Sequence, residues 1–118
     1  MSNNEKQDEK ELWQRIPNTE GTERAETFVA LSHLAYDRGD HKASLALCES
    51  AREIYEQLGA ETSTAALMHV YEGITWSLRK LDRDEEAAEL ALHAVDILKE
   101  NNPTDAADMM RDAGRFYF

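Results

Sequence analysis

The chain has little of what membrane proteins and secreted proteins are built from. Its 118 residues include one cysteine, which cannot form an internal disulfide bond. No segment approaches the roughly 18 consecutive apolar residues of a membrane-spanning helix. Segment 1–10 also lacks the apolar stretch of a signal peptide. We therefore expect a cytoplasmic protein that does not enter a membrane.

Strand-forming patterns and chain-breaking residues are scarce as well. The sequence has two prolines and five glycines, and no run in which β-branched or aromatic residues alternate with polar ones. Helix formers such as Ala, Leu and Glu dominate, and 42% of the residues are apolar. A chain of this size forms one domain. The predicted fold class is all-α.

Positive charge is the third scarcity. Thirteen Lys and Arg residues stand against 24 Asp and Glu residues, which gives a net charge of −11. This charge repels phosphate backbones and anionic lipids, so nucleic acid and membrane surfaces are excluded as partners. Among partners, a basic protein segment fits the charge better, but an acidic surface that only maintains solubility is the favoured explanation.

Apolar and small residues recur at helical spacing in successive segments separated by turn and cap residues. Helices are predicted from Thr22 to Gly39, from Asp40 to Gly59, from about 62 to 80, and from Asp82, where Asp82 and Glu85 have the spacing of a capping box. A last helix is predicted after residue 102. Segment 1–10 is predicted to be disordered, and Trp13 is expected to be docked on another surface.

Two of these helix pairs superpose on each other without a gap. The motif Phe28-x2-Leu31-Ser32-x2-Ala35 followed by Ser44-x3-Cys48-x2-Ala51 matches Tyr71-x2-Ile74-Thr75-x2-Leu78 followed by Ala87-x3-Ala91-x2-Ala94. Large and branched residues on the first helix would meet small residues on the second, which lets two helices approach closely.

This pattern resembles the tetratricopeptide repeat (TPR), in an extended-helix variant with a 43-residue period that is found in regulatory and adaptor proteins. The usual period is about 34 residues, and Ser32, Thr75, Cys48 and Ala91 depart from the family signature. The resemblance implies an antiparallel helix-pair, right-handed stack of about five helices. Its single domain would cover 11–118, with repeat 1 over about 22–59, repeat 2 over about 60–101 and a capping half-repeat over 102–118. A generic helical bundle is the alternative.

In TPR proteins the first helix of each pair lines a concave binding face. The resemblance places nine residues of this chain there: Val29, His33, Tyr36, Asp37, His69, Glu72, Trp76, Arg79 and Lys80. An aromatic anchor, imidazoles and adjacent cations suit a peptide with an apolar side chain and an acidic group. A solvated helix face or internal packing is the other interpretation. The family's carboxylate clamp is disfavoured, because Val29 and His33 replace its polar residues.

Signals for catalysis are weaker. His33-x3-Asp37, His69-x2-Glu72 and Glu89-x3-His93 each place two potential metal ligands on one helix face, but none is paired with a matching motif on another helix. Cys48 lies among apolar residues and is predicted to be a small core residue. The sequence has no glycine-rich phosphate loop and no serine nucleophile elbow. We predict no enzyme, no cofactor and no metal.

Three aromatic residues, Phe116, Tyr117 and Phe118, end the sequence. They cannot all face one side of a helix, so at least one is expected to be exposed or to contact another chain. The alternatives are that the ending folds back over the fourth predicted helix, forms a homodimer contact, or docks on another protein. The leading hypothesis is a non-enzymatic adaptor or regulator that binds another protein or peptide. The alternative is a structural homo-oligomer, such as a homodimer, assembled through helix faces and these aromatics. A small helical metal-binding protein is the third hypothesis.

Overall fold

The computed structural model describes residues 3–59 and 62–101, and the described part is all α-helical, as predicted. Five helices form it: α1 (Asn3–Arg15), α2 (Gly21–Asp37), α3 (His41–Leu58), α4 (Thr64–Lys80) and α5 (Asp84–Asn101), with a 3-10 turn at Ile16–Asn18. Within these ranges there is no strand, and no helix is long and apolar enough to cross a membrane. The predicted capping half-repeat over 102–118 lies outside the described residues.

Each helix packs on the next one along the chain, and α2 also contacts α4. The connection from α2 to α3 is three residues long, as is that from α4 to α5. Connections this short make the chain reverse direction, so each pair is a helical hairpin. The contact between α2 and α4 places the first helices of the two pairs side by side.

The two hairpins repeat one another in length and position. Helices α2 and α4 have 17 residues each, and α3 and α5 have 18. The start and end of each helix recur 43 residues later, which is the displacement of the sequence motif. Twelve of the fourteen motif residues form six equivalent pairs in which both members are buried: Leu31 and Ile74, Ser32 and Thr75, Ala35 and Leu78, Ser44 and Ala87, Cys48 and Ala91, Ala51 and Ala94.

The turns between the paired helices also share one geometry. Gly39 follows α2 with φ of +84°, and Asp82 follows α4 with φ of +62°. In both turns the next residue donates a backbone hydrogen bond across the helix end, from Asp40 to Ala35 and from Arg83 to Leu78. This is the Schellman pattern, which needs a left-handed residue after the helix.

Asp82 therefore has a different role from the predicted one. The capping-box prediction placed the start of the second helix of this pair at Asp82. The left-handed backbone of Asp82 instead terminates α4, and α5 begins at Asp84. Asp40, in contrast, caps α3 as predicted, because its side chain accepts a hydrogen bond of 3.1 Å from the backbone N–H of Ala43.

Replacing Asp82 by glycine is expected to stabilise the protein. A left-handed conformation costs an L-residue roughly 1 kcal/mol that glycine avoids, so Asp82→Gly should raise the free energy of unfolding by about 1 kcal/mol. Urea denaturation measures this. The reciprocal variant Gly39→Asp should lose about as much, since a Cβ at Gly39 meets nothing within 4 Å and only the backbone is strained. Equal stability of Asp82→Gly and the wild type would contradict this role.

The N-terminal segment differs from the prediction of disorder over 1–10, because α1 begins at Asn3. Leu12 and Ile16 pack on the core cluster of α2 and α3, and Glu9 forms an ion pair of 2.8 Å with Arg38. Trp13 was expected to dock on a surface, but the described part of the domain leaves its side chain 47% exposed. Leu12 and Ile16 supply the apolar contact with the domain, and Trp13 is not among the residues packed on that core cluster.

Candidate functional site

A groove with a volume of about 440 Å³ lies between α2 and α4, and α3 contributes to its lining. The lining exposes mainly apolar atoms. Its residues are Val29, Ser32, His33 and Tyr36 from α2, Ser44 and Cys48 from α3, and His69, Val70, Glu72, Gly73 and Trp76 from α4. Six of the nine residues predicted to bind a partner are among them.

A close approach of α4 to α3 forms the bottom of this groove. A Cβ atom at Gly73 would come within 2.9 Å of the Cys48 sulfur, so the glycine leaves room for the thiol. Cys48 is 3% exposed, and burial raises the pKa of its thiol, an effect that a hydrogen bond from Ser32 partly opposes. The prediction that Cys48 is a small core residue is confirmed.

Two histidines meet across the groove. The Nε2 atoms of His33 on α2 and His69 on α4 are 3.1 Å apart. Their ring planes differ by 21°, with the ring centroids 5.2 Å apart, and both side chains are exposed. When both rings are neutral, one nitrogen donates its hydrogen to the other, so each ring adopts a different tautomer.

Trp76 is the largest exposed side chain of the groove. It is 44% exposed, and the guanidinium of Arg79 lies 5.3 Å from the centroid of its ring. This cation–π contact holds a positive charge beside the aromatic surface. Lys80 follows Arg79 and is exposed. Trp76 thus joins an apolar surface to a local group of cations in an otherwise acidic protein.

The other predicted partner-binding residues occupy two kinds of position. Asp37, Arg79 and Lys80 are exposed near the C-terminal ends of α2 and α4 and do not line the groove. Tyr36 lines it with a half-buried ring, which lies edge-on to the His41 ring with centroids 4.9 Å apart. This packing leaves Tyr36 less free than Trp76 to contact a partner.

Sequence reasoning missed five residues of the lining: Ser32, Ser44, Cys48, Val70 and Gly73. It considered only the outward positions of the first helices, whereas the bottom of the groove is made where α2, α3 and α4 converge. The small residues of the repeat motif carried a signal for this. Ser44 in particular lies where two backbones come close, and its hydroxyl is 3.1 Å from that of buried Ser77.

The remaining candidate sites are dispersed. In the described part of the chain, no group of three or more His, Cys, Asp or Glu residues is placed to hold a metal ion. His93 lies on α5, away from the groove, with its ring edge-on to Tyr71 at 6.0 Å. Phe116, Tyr117 and Phe118, the predicted oligomer contacts, lie outside the described residues.

The chain was compared with protein families, curated proteins and solved structures. No family model matches it, and neither a curated protein nor a solved structure does. The resemblance to TPR proteins therefore stays a prediction drawn from the residues of this chain.

Proposed function

We propose that the chain is a cytoplasmic, non-enzymatic protein–protein interaction module, an adaptor or regulator that binds a peptide or helix of a partner in the groove between α2 and α4. The exposure of Trp76 at this groove carries the proposal. A tryptophan that lies 44% exposed beside an apolar concavity is the residue type that most often anchors a partner.

The chemistry of the groove defines the partner segment. Val29 and Trp76 offer an apolar surface for one large side chain of the partner. Arg79 and Lys80, three and four residues after Trp76 on α4, suit one acidic group close to that side chain. The net charge of −11 favours basic residues in the flanks of the same segment.

A right-handed TPR-like stack is part of the proposal. It is supported by the 43-residue recurrence of the helix bounds and by the matching Schellman turns. In such a stack the first helices of successive pairs line one face. The groove between α2 and α4 corresponds to that face.

Binding without catalysis is also proposed. Cys48 is the strongest potential nucleophile in the groove lining. Burial raises the pKa of its thiol, however, and so keeps it protonated. A protonated thiol at the bottom of the groove contributes packing and not reactivity.

Replacing Trp76 by alanine is expected to abolish partner capture from a lysate of the native host. Because the side chain is exposed, the free energy of unfolding should fall by no more than about 1 kcal/mol. Trp13→Ala is the matched control, since Trp13 is equally exposed on α1 outside the groove. Capture that is equal for Trp76→Ala and the wild type would rule out the groove as the binding site.

A structural homo-oligomer is the second candidate. Trp13 on α1 and Leu92 on α5, the first and last described helices, are each 47% exposed, and such faces favour association between copies of a chain. This candidate requires a dimer or larger species in light scattering. It also requires that deleting Phe116, Tyr117 and Phe118 weaken the assembly.

A further inference from the structure

The histidine pair of the groove has a geometry that neither helix could provide alone. Each helix contributes one imidazole, and the contact between α2 and α4 brings the two Nε2 atoms to 3.1 Å. Both side chains are exposed, so an ion from solvent can reach them. The sequence motifs His33-x3-Asp37 and His69-x2-Glu72 each lacked a matching ligand on a second helix, and the fold supplies one.

The separation of the two nitrogens fits metal coordination. Two imidazole nitrogens bound to one tetrahedral zinc ion, with bonds of roughly 2.0–2.1 Å, lie about 3.3 Å apart. We propose that His33 and His69 bind one divalent transition-metal ion of the class Cu²⁺, Ni²⁺ or Zn²⁺ through their Nε2 atoms. The ion takes the place of the shared hydrogen, and the ring that donated it carries that proton on Nδ1 instead, so both imidazoles stay neutral.

Imidazole selects this class of ion. Neutral nitrogen ligands suit Cu²⁺, Ni²⁺ and Zn²⁺, whereas Mg²⁺ and Ca²⁺ require oxygen ligands. Since the described residues place no third His, Cys, Asp or Glu at the pair, water completes the coordination. The site is therefore open toward the groove, like a catalytic or exchangeable site and unlike a closed structural one.

Two consequences follow for the protein. An ion held by α2 and α4 links the two helix pairs, so it stabilises the folded chain by mass action. The ion also adds a positive charge inside the groove. The lining of the groove contains one acidic residue, Glu72. The metal site does not depend on the proposed partner, because the two imidazoles alone define it.

Isothermal titration calorimetry on the full chain, purified without a histidine tag and treated with chelator, tests the site. ZnCl₂ and NiCl₂ are expected to bind at one ion per chain, and MgCl₂ is expected to give no heat of binding. His33→Gln and His69→Gln should each weaken Zn²⁺ binding about tenfold or more, because the ion then has one imidazole. Glutamine keeps a hydrogen-bonding group and removes the imidazole ligand. His93→Gln on α5 is the matched control and should bind as the wild type does.

A second measurement follows Zn²⁺ binding on the unmodified chain and uses the variants only to assign its histidine signals. In ¹H–¹³C spectra, Zn²⁺ should shift the ring signals of two of the four histidines, and these should be the two lost in His33→Gln and His69→Gln. Absence of both Zn²⁺ and Ni²⁺ binding by the wild type would overturn the proposal. Unchanged affinity in both single variants would overturn it as well. Neither result would bear on the capture of a partner through Trp76.

Discussion

Leu31→Ala and Ile74→Ala are each expected to lower the free energy of unfolding by about 3 kcal/mol. The two side chains occupy equivalent positions on α2 and α4 and are among the largest fully buried ones. Removing their outer carbons loses apolar burial and leaves a cavity that packed helices close only in part. Urea denaturation followed by far-UV circular dichroism measures the change.

Leu92→Ala is the control for this pair, since Leu92 is 47% exposed on α5. Its effect should stay below about 0.5 kcal/mol. A loss smaller than about 1 kcal/mol in either buried variant would contradict the packing of the corresponding hairpin. Similar losses at both positions are expected, because both side chains are buried at equivalent positions of α2 and α4.

Ser77→Ala is expected to destabilise the protein by about 2 kcal/mol although it removes a single oxygen atom. Ser77 on α4 and Ser44 on α3 are both buried, and their hydroxyl oxygens are 3.1 Å apart. Removing one hydroxyl leaves the other in the core with its partner lost. The free-energy cost of removing that remaining hydroxyl from water is then no longer offset by the hydrogen bond between the two serines.

A double-mutant cycle tests this argument. Ser44→Ala should cost a similar amount, and the variant carrying both substitutions should lose clearly less than the sum of the two single losses, because no hydroxyl is left without its partner. Thermal and urea denaturation of the four proteins give the coupling energy. Additive losses would mean that the two hydroxyls do not interact.

The hairpins could be predicted from the sequence because their signals are local. Spacing of apolar residues, the turn at Gly39 and the cap at Asp40 depend on a few neighbouring residues, and the structure contains each of them. Asp82 shows the limit of such signals. Aspartate is favoured both as a helix cap and, less often, in the left-handed conformation, so the residue type alone does not decide its role. The recurrence of the Gly39 turn 43 residues later would have decided it.

Segment 1–10 also shows that local sequence signals do not always decide the structure. Its composition is almost wholly polar, and no local pattern within it marks a helix. The apolar residues that attach α1 to the domain, Leu12 and Ile16, lie beyond the segment, and the ion pair of Glu9 reaches Arg38. These are contacts distant in sequence.

The histidine pair lay beyond sequence reasoning for a geometrical reason. The repeat makes Trp76 the equivalent of His33, yet the side chain that meets His33 belongs to His69, seven residues or about two helical turns earlier. The axial offset between α2 and α4 decides which turns face each other. That offset arises from the packing of both helices on α3. The spacing of residues within one helix does not predict it.

The bottom of the groove depends on the same packing. Gly73 and Cys48 are 25 positions apart in the chain and belong to different helices, and only their close approach explains the glycine. The concave face could therefore be predicted as a set of side chains, while its depth could not.

Photo-crosslinking in cells of the native host tests most directly whether the groove binds a partner. A benzophenone amino acid would replace Tyr36 or Glu72 in the groove, or Glu53, an exposed α3 residue that does not line it. We expect a shared adduct of defined mass from the two groove positions, its loss on adding Trp76→Ala, and no such adduct from position 53. The same adduct from position 53, or its persistence with Trp76→Ala, would show that the partner does not bind in the groove.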